Sequence, residues 1–464
     1  MHLSPLLEET LRIVARRYRL PDVAVYNDKA SEASVATTLA ITIEQGRCAA
    51  VRSEVLERTF MEALARLIEE ALRKDSGDPV FQAMLLRRRA TQVREYASLS
   101  AQADQDRRFI HASVNGIAHP GKQRTLSGGQ REGLAQLHTL ASSPYMSQLD
   151  DTVRHLLAMP EFANEPSSQR GLSRLLESPA LERLRRLEAL TSDELVRRYR
   201  SLWERNGPPS GSADAAAQGY ASQQRGAIAE ARAAHALEVL AQRLNEEERA
   251  VSAYRVVTSM RVPASIPASP DRAKSEWDAV LLREAKTVDA TPASDVCLLV
   301  ESKASVDAAT TDLPRLLRGV RLLAHAEESV VYAFETAQGT VHLRGASLRA
   351  LTTDEAALQR TVLYCCDARA EAAPRLLSAA SRMQLLSAQA SLEYASRVTD
   401  QQHADAQELA PVWHELLGSP QWHAVLNQYP KLRQVRDLMV HTEDLLAAIE
   451  TAAEEDRPGL NGSA

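Results

Sequence analysis

Apolar residues recur at three- and four-residue spacing through most of positions 1–205. The segments "VRSEVLERTFMEALARLIEEALRK" (51–74) and "LERLRRLEALTSDELVRRYRSLW" (181–203) show the pattern best, and it lays a continuous apolar stripe along one side of a helix. The opening "MHLSPLLEETLRIVARRYRL" has the same period, with Glu8 and Glu9 inside it. It reads as an amphipathic helix and not as a signal peptide. A short strand pair is expected at "VAVYN" (23–27) and "TLAITIEQG" (38–46). The stretch 206–224, "NGPPSGSADAAAQGYASQQ", is rich in Gly, Pro, Ser and Ala and short of large apolar side chains, which reads as a flexible linker.

Beyond the linker the period changes. "RGAIAEARAAHALEVLAQRL" (225–244) predicts a helix, and "YRVVTSMRV" (254–262), "SEWDAVLL" (275–282) and "VCLLVES" (296–302) predict strands. "DLPRLLRGVRLLAHAEE" (312–328) predicts a helix with Asp312 as its N-cap and Pro314 in its first turn, and "VVYAFE" (330–335) and "TVHLRGAS" (340–347) are strands again. From about 355 the pattern returns to helix. The expected architecture is multidomain: a mainly helical N-terminal domain over residues 1–205, the linker 206–224, an α/β core 225–350 and a helical C-terminal domain over residues 351–464. The core has the order α-β-β-β-α-β with a mixed central sheet, and the helical flanks are expected to serve as packing and partner surface, with a homo-oligomer as one outcome.

Composition narrows the classes. The chain has 464 residues, 44% hydrophobic and 25% charged, which suits a folded globular protein and not a disordered one. Aromatics are only 4%, and the abundance of Ala, Leu, Arg and Glu favours helix. No stretch approaches the roughly 18 to 20 apolar residues of a membrane span. Cys48, Cys297, Cys365 and Cys366 lack the C-x-x-C pairing of a zinc site or a disulfide framework, so a reducing, cytoplasmic setting is expected. The net charge of −6 does not exclude a locally basic nucleic-acid face.

Candidate chemistry sits where the apolar run Val296–Val300 ends in Glu301 and Lys303. Residues two apart on a strand share a face, so both are expected to point together with Cys297 and Leu299 behind them. Asp278, Val280 and Leu282 should share one face of the preceding strand, with Trp277, Ala279 and Leu281 on the other. Pairing the two strands brings Asp278 beside Glu301. Glu230 lies on the apolar stripe of the first helix, seven residues before Leu237, where a carboxylate is costly unless paired or metal-bound. Converging carboxylates call for a hard divalent cation, and a lysine beside it can orient or help deprotonate water for phosphodiester hydrolysis.

Asp278, then Glu301-Ser302-Lys303 closing an apolar strand, with Glu230 on the preceding helix, resembles the PD-(D/E)XK nuclease superfamily, the restriction-endonuclease-like fold. The resemblance covers about 225–350. It implies that Asp278 and Glu301 bind Mg²⁺ or Mn²⁺, that Lys303 acts on the attacking water, and that Glu230 is an accessory ligand. It also implies a metal-dependent nuclease cutting DNA, or less favourably RNA, in bacterial defence or DNA processing. The family's proline before the aspartate is replaced by Trp277. The alternative is a non-catalytic nucleic-acid-binding or scaffold protein that retains the fold.

Three further features bear on function. Glu284-Ala285-Lys286 repeats E-x-K in a polar stretch and reads as a solvated turn. "GIAHPGKQRTLSGGQ" (116–130) fits G-x-x-x-x-G-K, but Gln123 stands where a phosphate-binding loop needs Ser or Thr. A flexible Gly-rich loop is expected there. Arg315, Arg318 and Arg321 recur on one face of the helix after the lysine-bearing strand and are the candidate phosphate-tracking residues.

Overall fold

The computed structural model describes residues 4–20, 34–51, 53–123, 128–143, 145–163, 165–208, 211–247, 253–285, 292–371 and 374–455. The chain divides into two compact units. One comprises Met1–Leu64, Gly211–Leu385 and Leu409–Ala464; the other comprises Ala65–Ser210 and Leu386–Glu408.

The second unit is helical. Its longest helix, Thr91–Ala118, is joined by Met146–Ala158, Pro166–Leu176 and Pro179–Leu190 around buried Val114, Leu149, Leu156, Leu172 and Leu184. Asp78, Ser178 and Asp193 cap helices by accepting backbone N–H groups, as short polar side chains at such positions do. Gly116 lies inside the helix ending at Ala118, Pro120–Gln123 form a short helix, and Gly128 opens another. The expected Gly-rich loop is therefore largely helical, with 124–127 outside the described residues.

The first unit holds the sheet. Helix α1 (Ala213–Glu247) leads into strands β1 (Tyr254–Arg261), β2 (Glu276–Ala285) and β3 (Ala293–Lys303). Helix α2 (Val306–Leu323) follows, then the hairpin β4 (Val331–Thr336) and β5 (Gly339–Arg344). Two late strands, β6 (Val362–Cys366) and β7 (Met439–His441), complete the set. The sheet is mixed, with order β2-β1-β4-β5-β3-β6-β7, and β2 also pairs β3. Strands β2-β1-β4-β5-β3 thus close into a five-stranded ring. Two joints of the ring are single registers, Arg261 with Glu335 and Ser294 with Leu343.

Several expectations are corrected. Residues 213–224 are helix and not linker, because the Gly-Pro cluster ends at Gly211 and the Ala- and Gln-rich sequence after it has high helix propensity. Residues 4–20 pack with the sheet: Leu6, Leu7 and Leu11 join Leu237, Leu240 and Leu298, and buried Tyr18 donates to the Cys366 carbonyl at 3.1 Å. The C-terminal region is not simply helical, since β6 and β7 extend the sheet in parallel from β3. Residues 38–46 lie in the helix Val35–Cys48, and 23–27 fall outside the described residues. Helix α2 starts six residues earlier than expected, capped by Ser305, so Asp312 and Pro314 lie within it.

The sheet is sandwiched between two cores. One face packs α2 through Leu313, Leu316 and Val320 against Val280, Leu299 and Val362. The other packs α1 and helix Thr442–Glu455 against Ala279, Leu281, Leu298 and Val300. The β2–β3 register slips between Leu281 and Leu282, leaving Cys297 as an extra residue. That bulge puts Cys297 on the α1 face with Leu298 and carries Val296 to the α2 face with Leu299, as an inserted residue inverts the alternation. Cys297 therefore does not stand behind Glu301. Trp277 likewise joins the α2-side core with Val280; the β1–β2 ladder skips Ser259, whose φ is +51°, and the alternation breaks there.

Candidate active site

The β2–β3 ladder runs no further than Ala279 opposite Val300. Past that point the two acids supply bonds that a continuing ladder would have made. The Ser302 N–H donates to Asp278 Oδ2 at 2.8 Å, and the Asp278 N–H donates to Glu301 Oε1 at 3.5 Å. Each carboxylate is held by the backbone of the other's strand. Glu301 is fully buried, while the Asp278 side chain is 19% exposed.

Two ammonium groups meet these acids. Lys303 Nζ donates to Glu301 Oε2 at 3.2 Å and lies 3.4 Å from Asp312 Oδ2 on α2. Tyr364 on β6 donates its hydroxyl to the same Asp312 oxygen at 3.3 Å. Lys274, in the segment before β2, donates to Glu301 Oε2 and stands 3.8 Å from Asp278 Oδ1. Its side chain is 5% exposed. Three acids against two amines leave one surplus negative charge, and Glu230 adds another.

Glu230 is exposed on α1, one residue beyond buried Ala229, so it does not lie on the packing stripe expected for it. Desolvation and the Asp278 charge nonetheless push its pKa up, which puts it electrostatically at the rim of the cluster. Among the described residues no group of three or more His, Cys, Asp or Glu side chains is close enough to hold a metal ion; the three-carboxylate set is not assembled. The chemistry of the remaining donors fits a hard cation all the same. Mg²⁺ is commonly held by one or two carboxylates with water and substrate oxygens completing its shell, and Asp278 and Glu301 supply two carboxylates that face the same Lys274 ammonium.

Burial, followed by the Asp278 charge, raises the Glu301 pKa to about 7 against the pull of Lys274 and Lys303. For Lys303, burial pulls the pKa down, but Glu301, Asp312 and Asp278 outweigh it and the net shift is upward. Lys303 therefore remains an ammonium at neutral pH. It is a hydrogen-bond donor and a fixed positive charge, and not the base that deprotonates water.

A pH dependence follows. The folded-state pKa of Glu301 stands above its ordinary 4.5, so the stabilisation it contributes is fully present below about 4.5 and is lost as pH rises through about 7. At roughly 1.4 kcal/mol per unit this amounts to about 3 kcal/mol. The unfolding free energy of wild type minus that of Glu301→Gln, without added metal, should fall by that amount between pH 4.5 and 7.5. A flat difference would mean that the buried carboxyl titrates normally.

Sequence reasoning brought together Asp278, Glu301 and Lys303, and the structure holds them in one cluster. It missed Lys274 and Tyr364, and took Asp312 for a cap. One signal was available: the chain has seven lysines among 55 Lys and Arg residues, and Lys274 is the one four residues before Asp278. Arg315, Arg318 and Arg321 are exposed on α2 as expected, but Arg318 Nε donates to the Arg272 carbonyl at 2.8 Å and so anchors the segment before β2.

Comparisons with family models, curated proteins and solved structures return no match. No helix among the described residues is long and apolar enough to cross a membrane.

Proposed function

We propose that the sheet-bearing unit is a metal-dependent nuclease that hydrolyses phosphodiester bonds of DNA, with RNA as the second candidate substrate. The observation that carries this function is the locking of Asp278 and Glu301, two carboxylates each held by a backbone N–H of the other's strand, with the Lys303 amine on one Glu301 oxygen. The run α1-β1-β2-β3-α2 with a parallel strand beside β3 supports the likeness to the PD-(D/E)XK fold. In that role β6 stands in place of the expected 330–335 strand; the strands of the β4–β5 hairpin are expected ones, and their closing of the ring is the departure from the expected core.

Asp278 and Glu301 would hold Mg²⁺ or Mn²⁺, which when bound activates water and screens charge on phosphate. Lys303 keeps its proton, and its Nζ donates toward the oxygens that gather negative charge at the reacting phosphate. Asp312 and Tyr364 position that ammonium from α2 and β6. Arg315 and Arg321 present exposed charge on α2 for the sugar–phosphate backbone. The bridging of both acids by Lys274 favours a second reading, a non-catalytic nucleic-acid-binding protein in which the acids serve as ion-pair partners.

Incubation of pure protein with plasmid, single-stranded DNA and RNA in Mg²⁺, Mn²⁺ or EDTA decides between them. Cleavage with either metal and none in EDTA is expected. Binding of nucleic acid without cleavage in any metal would leave the second reading in its place.

A further inference from the structure

Lys274 is the least expected member of the cluster and the best fastened. Its backbone N–H donates to the Arg315 carbonyl at 3.2 Å, and Arg318 holds the neighbouring Arg272 carbonyl. Its Cβ sits so near Gly319 of α2 that a Cβ added there would come within 2.7 Å of it. A glycine at that one helical position is what lets the lysine backbone lie against α2. From this anchor the side chain runs inward, with Nζ 5.9 Å from the centre of the buried Trp277 ring, and reaches both Glu301 and Asp278.

We infer that Lys274 is a built-in counter-cation, which holds the two carboxylates together without metal and competes with a divalent cation for their oxygens. The inference rests on the proposed cation site and adds a control on its occupancy. The oxygen that Lys274 engages most closely, Glu301 Oε2, is also the one shared with Lys303. Two ammonium groups on one oxygen oppose a third positive charge, and Lys303 has Asp312 as a second partner. Lys274 is therefore the one whose removal most lowers the repulsion against an incoming cation.

The test is Mn²⁺ binding by titration calorimetry, paired with thermal unfolding in Mn²⁺ and in EDTA, for wild type, Lys274→Met, Lys274→Arg and Gly319→Ala. Lys274→Met should bind Mn²⁺ at least tenfold more tightly and regain in Mn²⁺ the stability it loses in EDTA. Lys274→Arg keeps the charge and should gain no affinity. Gly319→Ala keeps the lysine but forces it off α2 and should tighten binding by a smaller factor. Equal or weaker Mn²⁺ affinity in Lys274→Met overturns the inference; if that protein does not fold, the same result in Gly319→Ala does so. Metal-dependent cleavage by wild type with no tightening in the variants leaves the nuclease reading standing alone. Binding gained in Lys274→Met by a protein that cleaves nothing leaves the counter-cation standing alone.

Discussion

Glu301→Ala should destabilise the sheet-bearing unit by about 3–5 kcal/mol at neutral pH. Glu301 is fully buried and is the close partner of Lys274, whose side chain is 5% exposed. Removing the acid leaves an ammonium in the protein interior with only Asp278, at 3.8 Å, to face it. Lys303 loses less, because Asp312 remains beside it. The cost is that of an uncompensated buried charge and not the net worth of the pair. Lys274→Met combined with Glu301→Gln should therefore recover much of the loss, since neutral groups of similar size often replace a buried ion pair without penalty. Denaturant unfolding of Lys274→Met, Glu301→Gln and their double variant decides the matter, with Glu301→Ala measured beside them. If the losses simply add, the two groups are not coupled as their geometry requires.

Lys303→Ala should lower the rate of metal-dependent cleavage by about 10²–10⁴-fold, the range expected when a positioned catalytic side chain is lost. The ammonium is held by Glu301 on one side and Asp312 on the other, so its direction is set before substrate arrives, and fixed charge of that kind is effective where charge develops. Its side chain is 18% exposed, and Asp312 keeps the Tyr364 hydroxyl when the lysine is gone, so the fold should survive. Asp278→Ala removes one of the two carboxylates of the proposed site and should reduce cleavage at least as far. Single-turnover cleavage at saturating Mn²⁺, with circular dichroism to confirm folding, measures both. Rates equal to wild type in these variants would trace the activity to another protein in the preparation.

The pairing of Asp278 with Glu301 was legible from the chain because β-strand alternation is a local rule, and two strands of matching apolar character leave few registers. The expected positions of β1, β2 and β3 also lie close to the observed ones. The bulge at Cys297 was not legible, since an unpaired residue in an apolar run changes no pattern until its partner strand is known. Strand β6, "VLYCC", is five residues of buried chain, too short to separate from a helical segment by periodicity.

What the sequence determined by itself is a set of helices and strands, the strand that ends in an acid and an amine, and the residues eligible for chemistry there. Those follow from side-chain periodicity and from the cost of burying charge, both readable along one dimension. The tertiary structure decided what shares the space with those residues. It set Lys274 between two acids because Gly319 on α2 admits its backbone, set Asp312 and Tyr364 against Lys303, and turned Glu230 out to the rim. Contacts between segments tens of residues apart depend on how helices and strands pack, and no spacing within either segment encodes them.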